Sequence, residues 1–115
     1  THSGADLNLD HRRVYEAVLT ACRPVPGGHH PRRLLAYEVP SSTEWGVRGF
    51  LPAAFVDVSG SAIAKKLLAL ECYASEMRPF PHSRSYEAVR ARASVRGASV
   101  GVDAAEAFEL VREIA

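Results

Sequence analysis

Eight residues gather most of the chain's reactive side chains. Asp6-Leu7-Asn8-Leu9-Asp10-His11-Arg12-Arg13 holds two carboxylates, an amide, an imidazole and two guanidinium groups. An imidazole beside carboxylates at a helix N-terminus suits metal ligation or acid–base work, because a carboxylate can fix the tautomer and orientation of the ring. The same residues also read as a helix cap with a surface histidine, since Asn and Asp accept bonds from the free amides of a first turn. A third reading is a self-sufficient metal site from His2, Asp6 and His11, although that spacing matches no compact zinc motif. Residue types alone leave these readings open.

The elements that must position these groups come next. Val14, Ala17, Val18 and Ala21 recur at helical spacing and predict a helix over about Asp10 to Cys22, capped by Asn8 or Asp10. That helix stops before Pro24, because the residue before a proline is pushed out of the helical region. Pro24 to Pro31 is a turn-rich connection, and its His29-His30 pair reads as surface histidines. Leu34 to Val39 predicts a buried strand ended by Pro40. Ser41-Ser42-Thr43-Glu44-Trp45 follows directly. In an open α/β sheet, ligands sit beyond the carboxyl ends of strands, so Ser42, Glu44 and Trp45 are candidate ligand contacts. Trp45 reads either as a stacking face or as an aromatic that clamps the loop. Ala54 to Val58 predicts a second strand, and Ser59-Gly60-Ser61 a cap for a helix over about Ser61 to Met77. Ile63, Leu67, Leu70 and Ala74 form its apolar face, widened by Leu68 and Cys72, which predicts a helix lying across a sheet. Two prolines break it and leave His82 in a stiff loop. Ser85 caps a third helix over about Ser85 to Ala93, which Gly97 or Gly101 ends or bends. Propensity reads the last segment, Ala104 to Ile114, as helix.

Length and composition narrow the classes. A chain of 115 residues predicts a single domain over 1–115. A formal net charge of +1 argues against a dedicated nucleic-acid binder, which would need a basic stripe. No apolar run of spanning length occurs, so neither a membrane span nor an export signal is expected, and the cytoplasm is the default. Cys22 and Cys72 stand alone, without C-x-x-C spacing, and read as small packed apolar residues.

The motif Asp6-Leu7-Asn8-x-Asp10-His11-Arg12, with His2 just upstream, resembles the later zinc motif of the LmbE-like (PIG-L) N-acetylglucosaminyl deacetylases. The likeness continues in that family's order through Ala17 to Pro24, Glu38 to Trp45, Phe55 to Ser59, Cys72 to His82 and Ala105 to Phe108. It implies an α/β chain with a partial Rossmann-like (LmbE-type) layered fold, a few strands packed with about three helices. It also turns the segment around Phe108 to Val111 from helix to strand. The reaction it implies is zinc-dependent hydrolysis of an N-acetyl group on an amino sugar or glycoconjugate. His11 matches the third zinc ligand. Asp10 would orient an imidazole or an arginine. Asn8 stands where many relatives carry a histidine that stabilises the oxyanion. An amide N–H can donate to that oxyanion but cannot act as a general acid. His82 would approach substrate or the tetrahedral intermediate; a solvent-facing loop histidine is the other reading. Ser42, Glu44 and Trp45 would contact the sugar.

One departure is large. The family's Ala-His-Pro-Asp-Asp-Glu-type loop, which supplies two zinc ligands and the general base, has no counterpart here. The His30-Pro31 pair continues into Arg32-Arg33. The resemblance therefore implies the C-terminal part of a deacetylase, inactive without the half that carries that loop. Its open sheet edge predicts self-association or pairing with the complementing half. The alternative is a truncated or degenerate module of the same fold that serves interaction, not catalysis.

Overall fold

A computed structural model describes all 115 residues, Thr1–Ala115. They fall into two compact units, Thr1–Ala54 with Phe108–Ala115, and Phe55–Ala107.

In the first unit, helix α1 spans Leu9–Ala21. Asn8 is its cap: its backbone is extended, and its Oδ1 accepts the Asp10 amide at 2.8 Å. The inward side is half-buried and consists of His11, Arg12, Tyr15, Val18, Leu19 and Cys22. This stripe is rotated from the predicted one. Val14 is 43% exposed, and no residue of the helix is fully buried. The rotation turns His11 toward Asp6 and puts His11 and Arg12 on the inward side beside Tyr15, Val18, Leu19 and Cys22.

Strand β1, Arg33–Tyr37, buries Leu34 and Ala36 on one side. It ends short of the predicted Val39. The Val39 amide is bonded to Thr43 Oγ1 at 2.7 Å, not to a neighbouring strand. Ser41 then adopts a positive φ of 64°, which turns the chain into a 3-10 turn over Thr43–Trp45. A short parallel bridge links His2 to Tyr37, with Ser3 N donating to Tyr37 O at 3.1 Å.

In the second unit, β2 (Ala54–Asp57) begins at the boundary and leads to α2 (Ser61–Glu71). A 3-10 turn over Ala74–Glu76 and helix α3 (Tyr86–Ala98) follow. Helix α2 is shorter than predicted. Ile63, Leu67 and Leu70 are half-buried, but Leu68 and Cys72 are exposed, and no residue of α2 is fully buried. The serine cap predicted for it is also absent. Ser59 Oγ accepts the Ala104 amide at 3.2 Å, and Gly60 holds the cap position at φ 62°. Ser85 does cap α3, accepting the Ala88 amide at 3.0 Å. Helices α2 and α3 pack on each other. Val89, Ala93, Ala104, Ala105 and Ala107 supply this unit's core.

Strand β3, Ala105–Glu113, passes through both units, and the sheet order is β1-β3-β2. Its later part pairs antiparallel with β1, Tyr37 opposite Phe108 and Leu35 opposite Leu110, with an irregularity between Leu34 and Leu35. The strand is longer than predicted, and the cross-strand ladder overrides the helical propensity of Ala105 to Val111. The class is α/β with three helices, as expected. The strands are joined antiparallel, which does not confirm the partial Rossmann-like layering that the resemblance implies. Val58 N donates to Ala104 O at 3.0 Å and Ala53 N to Phe108 O at 2.9 Å, so β2 runs opposite to β3 as β1 does. No helix is long and apolar enough to cross a membrane.

Candidate functional site

The chemistry concentrates around Asp6, in the first unit. Its side chain is fully enclosed. A buried carboxylate is costly unless it is well bonded, and four donors converge on this one. The Asn8 amide reaches Oδ1 at 2.8 Å, closing a local turn of the kind an Asp-x-Asn sequence favours. Ser42 Oγ donates to Oδ1, and Thr43 Oγ1 donates to Oδ2 at 2.7 Å. His11 Nδ1 lies 3.2 Å from Oδ1. Burial alone would raise the Asp6 pKa. The bonds from Ser42, Thr43, Asn8 and His11 outweigh it and hold the carboxyl below its ordinary range.

The loop around the cluster is fixed from several sides. Arg12 Nη1 donates to the carbonyls of Asp6 at 3.1 Å and Leu7 at 3.0 Å. Thr43 Oγ1 accepts from Val39 N while donating to Asp6, so β1 and the 3-10 turn are tied to the carboxylate through one hydroxyl. Ser3 is buried and donates to Glu109 Oε2 at 2.6 Å.

The arrangement defines His11. A carboxylate only accepts, so in the neutral imidazole the proton sits on Nδ1 and the lone pair on Nε2. Ser42 Oγ, 3.4 Å from the same Nδ1, supports that orientation. The side chain is 22% exposed. The carboxylate thus fixes the ring's orientation and tautomer. His2 stacks on His11, ring centroids 4.2 Å apart and planes 18° from parallel. Its Nε2 lies 3.3 Å from Tyr37 Oη. Burial, and then the nearby His11, lower the His2 pKa against the opposing pull of Asp6.

These residues fit zinc only in part. A catalytic zinc takes three protein ligands. No group of three or more His, Cys, Asp or Glu is arranged to hold a metal ion. Asp6 spends its oxygens on protein donors, so the set His2, Asp6 and His11 is not a cage. What the chain offers is one oriented imidazole.

The other predicted site residues are distributed as follows. Ser42 joins His11 in the cluster, its hydroxyl facing Asp6. Glu44 accepts the amides of Ser41 and Ser42 at 2.8 and 3.3 Å, closing the turn. Trp45 is 54% exposed. Asn8 spends its side-chain oxygen on the cap. Asp10 lies in the exposed first turn of α1, and the carboxylate on His11 is Asp6. His82 belongs to the second unit, where its Nδ1 accepts the Arg84 amide at 3.1 Å. Sequence reasoning missed Thr43, and it did not single out Asp6 as the carboxylate on His11. The signals were there: an Asp two residues before a capping Asn, and a Ser-Thr pair just after a strand.

Comparison with known proteins gives one partial likeness. Over 75 residues, 65% of this chain and 35% of the relative, the sequence is 36% identical to the uncharacterized deacetylase YaiS of Escherichia coli (strain K12). The chain thus spans about a third of the length of the curated relative it matches. No family model matches the sequence, and no solved structure matches it.

Proposed function

We propose that this chain supplies a metal-binding histidine and its orienting carboxylate to a zinc-dependent deacetylase that removes N-acetyl groups from amino sugars. The observation that carries the reading is the Asp6–His11 pair. A fully enclosed carboxylate fixes Nδ1 of a half-buried imidazole and leaves Nε2 without a protein partner. The partial likeness to a protein named as a deacetylase agrees with it.

His11 would hold zinc through Nε2. When bound, zinc polarises an amide carbonyl and acidifies a water. Everything else the chain does is positioning. Asp6 holds the ring and its tautomer. Ser42 and Thr43 hold Asp6. Arg12 fixes the loop between Asp6 and the helix. The general base and the remaining ligands have no counterpart among these residues, so the reading requires further polypeptide bearing an Ala-His-Pro-Asp-Asp-Glu-type loop.

Titration with zinc, followed by the ring-nitrogen resonances of the histidines, tests this. The expected result is a response at His11 Nε2. Mixing with a polypeptide that carries the missing loop is expected to generate N-acetylglucosamine deacetylation, which His11→Ala abolishes and Asp6→Asn lowers about 10–100-fold. A zinc response at His29 or His30 with none at His11 would overturn the proposal.

A second reading rests on a different observation. Helices α1 and α2 have no fully buried residue, and Leu68, Tyr73 and Phe80 are each more than 60% exposed. Such surfaces suit a non-catalytic interaction module, whose histidine would serve only the structure around Asp6.

A further inference from the structure

Beside the Asp6 loop, in the same unit, lies a groove of about 430 Å³. That volume is within the range of sites for small ligands, about 300–1,000 Å³. Gly4 to Leu7 line it together with Gly46, Val47 and Arg48. Tyr15, Arg12 and Glu16 of α1 complete it. Two close approaches shape it. A Cβ on Gly4 would come within 2.7 Å of Tyr15 Cε1, so the absence of a side chain lets the ring lie against the backbone. A Cβ on Gly46 would strike the Ala5 carbonyl, so that turn also closes tightly.

Charge is distributed unevenly along these walls. The Asp6 carboxylate is enclosed and fully bonded, and Glu16 is paired with Arg13 at 2.7 Å. Arg12 is held through Nη1 by two backbone carbonyls, which leaves Nε and Nη2 without protein partners. Arg48 is exposed and makes no hydrogen bond or ion pair within the chain. One guanidinium is pre-positioned and the other is unengaged, beside an aromatic ring.

We propose that this groove binds the anionic group of a sugar-sized ligand, with Arg12 and Arg48 on the anion and Tyr15 against the ring. Guanidinium groups pair with phosphate or carboxylate oxygens through parallel N–H donors, and a half-buried, anchored one loses little entropy in doing so. The anion site needs no metal and stands apart from His11, while the sugar class of the ligand rests on the deacetylase reading. Phosphate and carboxylate share the recognising chemistry, and the test separates them.

The test is calorimetric titration of the zinc-free chain with glucose 1-phosphate, glucuronate and neutral glucose. Both anions are expected to bind saturably, and glucose not. The stronger of the two names the group. Arg48→Ala is expected to weaken binding about tenfold, the loss of one charged hydrogen-bonding partner. Val47→Asp, at a fully exposed position on the groove wall, is expected to abolish it. Arg90→Ala, in the second unit, controls for net charge and is expected to change nothing. Glucose binding as well as the anions do, an Arg48→Ala chain binding like wild type, or an equal loss in Arg90→Ala would each overturn the proposal. Failure here leaves His11 and zinc untouched, so the two readings fail separately.

Discussion

Asp6 shows how one buried charge organises its surroundings. Its oxygens accept from a local amide, two hydroxyls and an imidazole, drawn from the α1 approach and from the loop after β1. Removing the charge while keeping the shape is therefore informative. In Asp6→Asn, the hydroxyls of Ser42 and Thr43 meet an amide that donates as well as accepts. The expected loss of stability at neutral pH is about 1–3 kcal/mol, the cost of a buried polar group left badly paired. The pH dependence has a definite sign. The folded-state pKa of Asp6 lies below 3.8, its ordinary value. The unfolded chain thus takes up the proton first as pH falls. The stabilisation is complete above 3.8 and is lost as pH drops through the folded value. Urea unfolding of wild type and Asp6→Asn should show a gap that is constant near neutrality and narrows below 3.8. A gap that persists unchanged in acid would mean that the charge is not what the network stabilises.

At the scale of elements, small residues decide more than the apolar pattern suggests. Helix α3 runs through Gly97, which the sequence reads as an end or bend. Its role is contact. A Cβ there would lie 2.5 Å from Val102 O, 2.7 Å from Ala104 N and 2.8 Å from Ala104 Cα, all backbone. Gly97→Ala gains roughly 1 kcal/mol of helix propensity but forces the segment after α3 away, at about 1–3 kcal/mol or more. A net fall in thermal stability is expected, whereas Gly49→Ala, in open space, is expected to be near neutral. A stabilised Gly97→Ala would show that the return of the chain is soft. The same comparison explains what was legible. Periodicity and cap residues gave α1 and the start of α3, and Ser85 caps as its type requires. Strands β1 and β2 followed from apolar runs. The long strand β3 did not: the resemblance placed a strand at Phe108 to Val111, and its full extent over Ala105–Glu113 rests on a register with β1 that its alanines and glutamates do not encode locally. The sequence singles out His11, but not Asp6 as the carboxylate bonded to it. Position in sequence favoured Asp10, the immediate neighbour, while the turn at Asp6-x-Asn8 and the hydroxyls of residues 42 and 43 select Asp6.

For the whole molecule, the apolar inventory and its burial are out of balance. Hydrophobic residues make up 47% of the chain, enough for an ordinary core. The fully buried ones are Leu34, Val89 and six alanines. Alanine buries little area, and burial contributes roughly 25 cal/mol per Å² of apolar surface, so this core is thin. The larger side chains lie elsewhere: Leu68 is 63% exposed, Tyr73 63% and Phe80 66%. Apolar surface left in water on α2 and the segment after it is expected to favour association. The expected outcome is a weight-average mass that rises above 12.5 kDa with concentration in sedimentation equilibrium. Leu68→Lys should lower that mass toward the monomer without loss of helix by circular dichroism, because the position packs against nothing that a charge would disturb and lysine is a good helix former. A wild-type chain that stays at 12.5 kDa at roughly 100 µM, where contacts of micromolar strength are filled, would mean that the half-buried stripe of Ile63, Leu67 and Leu70 suffices. Association abolished by Leu68→Lys would locate the partner surface on α2, and the size of the complex would then say whether a second copy satisfies it.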